Sequence, residues 1–281
     1  MDFVIACETG QLHDVQQLWT PHINMTLINK VFLGVCYNGN VDIAQWLIEK
    51  YPNLNVDVKN GEAFKIACSG GHLSVAQWIL EKSPDLNMIA HIENAFWHTC
   101  CGGHLIIAQW LIEKQPSLDM GARNEHAFRG ACRFGHLAIA QWLLEKRPGL
   151  NMGAENEATF NGACANGQMS IAQWLLEKRP DLDMGAKNEW AFRFACCNGH
   201  LAVAQWLLEK RPGLDMGAEH EFAFRWACAN GRLAVAQWLL EKRPGLDMDA
   251  ENEWAFQWAH KNNRLDVAQW LLKMRSGAGY L

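Results

Sequence analysis

The sequence is poor in tyrosine, in long apolar runs and in any excess of basic charge. Three Tyr stand against 14 Trp in 281 residues, a skew that repetition produces easily and chance composition does not. No run of about 18 apolar residues occurs, so no membrane-spanning segment is expected. The start, Met1-Asp2-Phe3-Val4-Ile5-Ala6-Cys7-Glu8, lacks a basic flank and a long apolar stretch, so no secretory signal is expected. Lys and Arg number 25 against 30 Asp and Glu, which argues against a nucleic-acid binder that neutralises phosphates. There is no Gly-rich phosphate loop, no nucleophile elbow and no catalytic triad confined to one segment, so no enzyme is expected. Proline is scarce too: all eight fall in one recurring slot, from Pro21 to Pro244.

What is present is a repeat. Ala-Gln-Trp ends at Trp46, Trp78, Trp110, Trp142, Trp174, Trp206, Trp238 and Trp270, each 32 residues after the last. Phe keeps the same phase from Phe32 to Phe256. Cys follows four residues later from Cys36 to Cys228, with His260 in the last slot. Phe3 and Cys7 open the chain with a shorter unit, which makes about nine units.

Each unit reads as two helices. In Asn188–Pro212, Asn188 is placed to cap the first helix and Glu189 to meet its dipole. Trp190, Ala191, Phe192, Ala195 and Cys196 follow, and Gly199 stops the helix. Leu201, Ala204, Leu207 and Leu208 form the apolar face of the second helix. Lys210 and Arg211 suit its C-terminal end, and Pro212 terminates it. One such pair cannot bury its own apolar face, but a stack can. The expected architecture is all-α, a solenoid of about nine stacked helix-turn-helix units in a single domain, 1–281. Residues 1–29 would form a polar N-terminal capping unit, 30–247 the core repeats, 248–275 a C-terminal capping unit and 276–281 a frayed tail.

Ala227-Cys228-Ala229-Asn230-Gly231-Arg232-Leu233-Ala234-Val235-Ala236-Gln237-Trp238-Leu239-Leu240-Glu241-Lys242 resembles the core of an ankyrin repeat. The phrases Phe-x-x-Ala-Cys, Gly-His-Leu and Ala-Gln-Trp-Leu resemble the divergent 32-residue repeats common in large DNA viruses and protists. The chain departs from the family where Thr-Pro-Leu-His is usual, having Trp190-Ala191-Phe192-Arg193, and it lacks the Asp-Gly hairpin turn. The resemblance implies a non-catalytic scaffold that binds a partner protein on its concave face. It would be monomeric, without cofactor, and cytoplasmic, in the host cytoplasm if the chain is viral. The alternative is a structural, duplicated or designed repeat element without a dedicated partner, which the recurrence of Leu-Leu-Glu-Lys-Arg-Pro at 143, 175, 207 and 239 favours.

Candidate residues fall into five groups. The phased cysteines lie one stack apart, roughly 10 Å, too far for disulfides, and read as small core residues. His98, Cys100, Cys101 and His104 are close in sequence, yet Cys100 and His104 belong to repeat-wide slots, so no metal site is expected. The phased Trp are expected to pack against the next unit. The residues two before and two after the phased Phe become aromatic only late in the chain: Trp190 with Phe194, Phe222 with Trp226, Trp254 with Trp258. With Arg193 and Arg225 alongside, these are the candidate partner-binding residues. The competing reading is that the rings stack on one another and fill gaps. Finally, Glu125 to Glu253 at the first-helix starts and Lys-Arg pairs at the second-helix ends suggest an acidic and a basic edge.

Overall fold

The computed structural model describes residues 2–54, 56, 61–83 and 88–277. Among these, every regular element is a helix and there is no strand. The chain forms two compact units, Met1–Ala131 with Ala138–Leu150, and Cys132–Leu137 with Asn151–Leu281. The first holds α1 (Phe3–Thr9), α2 (Leu12–Leu18), α3 (Met25–Tyr37), α4 (Val41–Lys50), α5 (Glu62–Gly70), α6 (Leu73–Lys82), α7 (Met88–Gly102) and α8 (Leu105–Lys114). The division runs through α9 (Ala122–Phe134) and α10 (Leu137–Lys146). The second holds α11 (Ala154–Ala165), α12 (Met169–Lys178), α13 (Ala186–Asn198), α14 (Leu201–Lys210), α15 (Ala218–Ala229), α16 (Leu233–Lys242), α17 (Ala250–Lys261) and α18 (Leu265–Arg275).

Within each unit the first helices of consecutive repeats pack side by side: α1, α3, α5 and α7 in one, α11, α13, α15 and α17 in the other. The phased Phe are buried except Phe256 of the last repeat, which is half-buried, and within each unit the Trp of the following repeat lies tilted against the Phe. The Phe96–Trp142 centroids are 6.3 Å apart, Phe160–Trp206 6.3 Å and Phe192–Trp238 6.2 Å. The Trp therefore sets its ring against the Phe of the preceding repeat. The second helix also turns a different face inward from the expected one. Val203, Ala204, Trp206 and Leu207 are buried, while Leu201 and Leu208 stand at the margin. Placing Trp206 inward rotates the apolar stripe by about one residue, because the indole has the largest surface to bury.

Polar groups lock one repeat to the next at the helix ends. Asn198 donates to the Ala165 carbonyl at 2.7 Å and Asn230 to the Cys197 carbonyl at 3.0 Å, satisfying carbonyls that a helix terminus leaves unpaired. Gly167, at φ +74°, adopts the left-handed stop, and a Cβ there would lie 2.5 Å from the His200 ring of the next repeat. The Gly-His pairing thus combines a backbone need with a close approach. Eight phased cysteines, Cys7 to Cys228, are buried, and none of the chain's ten is in a disulfide. Burial pushes the Cys7 and Cys36 thiols up to about 12, so they are protonated and poor nucleophiles at neutral pH.

The ends are less polar than expected. His13, Asp14, Gln16 and Gln17 do face outward or partly so, but Ile5, Leu18, Met25 and Leu27 are exposed at the first repeats, and Leu265 and Leu272 at the last. Leu240 is 7% exposed and its equivalent Leu272 51%. Pro84 and tail residues 278–281 lie outside the described residues.

Two outcomes follow from this packing. Trp142→Ala or Trp174→Ala should cost about 3–5 kcal/mol, the range for large-to-small core changes, seen as a lowered denaturation midpoint. An unchanged midpoint would place the indoles outside the core. Burial, then Lys65 and His126, hold His98 below the ordinary imidazole value against an opposing Glu62. Burial and Arg232 do the same to His200 against a backbone hydrogen bond at Ala165. The folded chain then binds fewer protons than the unfolded one. Stability present above the unfolded value of 6.5 should be lost as pH falls from there through the folded values. Melting at pH 7.5 and 5.5 should show the drop, and a His98→Gln, His200→Gln variant should reduce it.

Candidate interaction surface

The first helices of the second unit begin with a turn that the sequence did not announce. Lys187, Asn188 and Glu189 have φ between 56° and 60° and ψ between 34° and 58°, a single left-handed turn closed by Glu189 N–H to the Gly185 carbonyl at 3.1 Å. Asn188 is therefore not an N-cap, and the right-handed helix starts at Trp190. The same turn recurs at Glu219–Glu221 and Glu251–Glu253, and in the first unit at Arg123–Glu125. Left-handed conformation costs an L-residue roughly 1–2 kcal/mol, so something must hold it.

The holding contact is an ion pair spanning 22 residues of one repeat. Arg147 reaches Glu125 at 2.6 Å, Arg179 Glu157 at 2.8 Å and Arg243 Glu221 at 2.5 Å, and Arg211 contacts both carboxylate oxygens of Glu189. The four glutamates are only 6–8% exposed. Each of these Arg precedes a Pro, which pushes it out of helical geometry: Arg211 sits at φ −133°, ψ 83°. That extended residue ends the second helix at Lys210 and swings the guanidinium back across the connector. Gly185 and Gly217 lie beneath the guanidiniums, where a Cβ would collide. The glutamates and arginines thus neutralise each other pairwise, and the expected separate acidic and basic edges are not formed from them. In the last repeat Arg275 pairs with Glu253 at 3.2 Å and with Asp249.

The six late aromatics come together on α13, α15 and α17. Trp190 stacks on Phe194 at 4.1 Å and Phe194 meets Phe222 at 5.4 Å. Phe222–Trp226, Trp226–Trp254 and Trp254–Trp258 follow at 5.7, 5.0 and 5.4 Å. The result is an unbroken zigzag of rings across three repeats. Five are half-buried, and Trp226, near its middle, is 36% exposed.

The arginines are placed otherwise than as free flanking groups. Arg193 is buried, donates to the Lys187 carbonyl at 3.0 Å and lies 4.9 Å over the Phe222 ring. Arg225 donates to the carbonyls of His220 at 2.6 Å and Glu219 at 3.0 Å, and lies 5.3 Å over Trp254. Lys261, absent from the sequence-based candidates, caps Trp258 at 4.2 Å. The middle of the series is also less plain than expected: Trp97 lies 4.4 Å from His126, one repeat on, and 4.2 Å from His98. Among the described residues no three His, Cys, Asp or Glu side chains gather as a metal site, and no helix is long and apolar enough to cross a membrane.

Stacked helix pairs that spend their recurring residues on packing define a helical-repeat protein. The model for ankyrin repeats (three copies) matches residues 3–90, 131–220 and 193–279, and the chain belongs to the ankyrin-repeat family. Ankyrin repeats are generally protein–protein interaction modules and typically non-enzymatic. No curated protein matches the sequence.

The ion pairs can be tested by their asymmetry. Arg211→Met leaves the buried Glu189 carboxylate unpartnered. It should cost about 1–3 kcal/mol, less than the roughly 3–5 kcal/mol of a fully buried pair because the guanidinium is partly exposed. Adding Glu189→Met should recover part of that loss in chemical denaturation, since no charge is then stranded. Equal midpoints for Arg211→Met and the native chain would show that the pair does not hold the turn.

Proposed function

We propose that this chain is a non-catalytic scaffold that binds a partner protein through the aromatic stripe of Trp190, Phe194, Phe222, Trp226, Trp254 and Trp258. Arg193 and Arg225 belong to the same surface, on what would be the concave face of the repeat stack. The observation that carries the reading is the unbroken six-ring zigzag with Trp226 open at its middle. Core packing in this repeat does not require those rings, since Gly130, Ala158 and Gly162 hold the same phases in earlier repeats. Large aromatics with neighbouring Arg are the residue types that most often dominate interface energy. A monomer in the cytoplasm fits this reading.

The ring-on-ring contacts also support a second reading, a structural repeat element without a dedicated partner. The two are separated by affinity capture with the native chain and a Trp226→Ala, Trp254→Ala, Trp258→Ala variant, with helicity and melting followed in parallel. A captured protein is then re-tested as a purified component. The scaffold reading expects a saturable complex that weakens at least about a hundredfold in the triple variant, as loss of roughly 2.7 kcal/mol of hot-spot contact would give. A complex indifferent to the substitutions moves the interface elsewhere. Unfolding of the variant makes the stripe part of the core.

A further inference from the structure

Arg193, Arg225 and Gln257 share one phase, immediately after the phased Phe. All three reach the same target, a carbonyl of the left-handed turn in their own repeat: Lys187, Glu219 with His220, and Asn252 at 2.9 Å. A left-handed turn points its carbonyls away from the right-handed ladder that follows, so they need donors from elsewhere. The two arginines do something further. Each lays its guanidinium on a ring of the next repeat, Arg193 on Phe222 and Arg225 on Trp254. A planar fork of donors can bond two carbonyls at its edge while its face covers an aromatic ring, and an ammonium cannot. In the first unit Trp97 holds the same phase and also lies against a side chain of the next repeat, His126.

We propose that Arg193 and Arg225 are positioning residues that tie the left-handed turn of one repeat to the aromatic stripe of the next, making turn and stripe one surface. They are not anions' partners held in reserve. Arg193 is 8% exposed, and Arg225 already commits Nε and one terminal nitrogen to carbonyls. Because Glu219 and His220 sit at the exposed tip of the turn, a shift at the tip is passed to Trp254 and from there to Trp226, 5.0 Å away. The relevance to binding rests on the stripe being the interface, but the coupling itself is measured without a partner, so the two readings fail separately.

The test uses the full chain carrying 5-fluorotryptophan. The Trp254 resonance is assigned by ¹⁹F NMR with Trp254→Phe, and hydrogen exchange is followed by mass spectrometry over residues 217–224. That segment contains the Glu221 amide bonded to the Gly217 carbonyl. Arg225→Ala is expected to shift the Trp254 resonance and to speed exchange in the turn by about tenfold, the scale of one lost hydrogen bond. Arg225→Gln, which copies the Gln257 arrangement, should restore turn protection and leave the Trp254 resonance shifted. Arg225→Lys should restore at most one of the two, since an ammonium cannot hold the carbonyls and the ring together. Native values in Arg225→Ala, or in Arg225→Lys for both readouts, would overturn the proposal. If Arg225→Ala loses helicity, the Gln and Lys variants decide on the same criteria, and loss of helicity in all three would also overturn it by making Arg225 a core residue.

Discussion

The contact on which the rest depends is the packing of one repeat's Trp against the Phe of the repeat before it. A helix pair of this length has too little interior to stand alone, and its neighbours supply the missing apolar surface. Placing the two largest apolar side chains on opposite partners of each junction makes every repeat half of two cores. The Cys and Ala that fill the first helices must then be small, because first helices of successive repeats lie side by side. Gly199 and Gly167 follow from the same closeness: the next repeat's side chain occupies the space where a Cβ would be.

Electrostatics plays a narrower part. The Glu–Arg pairs hold left-handed turns that the chain would not adopt unaided, and they do so within one repeat. Two features of the chain make this possible, a proline that forces the preceding Arg out of the helix and a glycine that leaves room for the guanidinium. The pairs are local clamps on connector shape, with little reach as a field. They leave the tips of the turns free to carry variable residues, Lys187-Asn188, Glu219-His220 and Glu251-Asn252.

The stripe is written over this framework without disturbing it. Its six rings occupy positions that are mostly small or polar in earlier repeats (Ile5 and Ile66 are not), so their cost to packing is slight and their contacts are chiefly with one another. Cations cap three of the rings, leaving Trp226 the most open of the six. A surface of this kind can be altered by substitution at a few phases while the junctions stay as they are.

Much of this was legible in the residues themselves. The 32-residue phase of Phe, Cys and Trp set the helix pairs and the core ladder, because burial at a fixed period leaves a fixed period in the sequence. The identity of the six stripe residues was legible for the same reason, as a departure from that period. The Glu–Arg clamp has a readable signal: Gly121 and Arg147 enter the repeat together around Glu125, where the preceding repeat has Ile89 and Gln115 around Glu93. Three things needed the tertiary structure. One was the handedness of the turn, since Asn188-Glu189 is good N-cap chemistry and only the pairing across 22 residues overrides it. Another was the direction of each Trp. The last was the bonding of Arg193 and Arg225, whose partners lie partly in another repeat. Periodicity reports which residues are equivalent, but a contact between repeats depends on the distance and angle between them, and those arise only when the repeats stack.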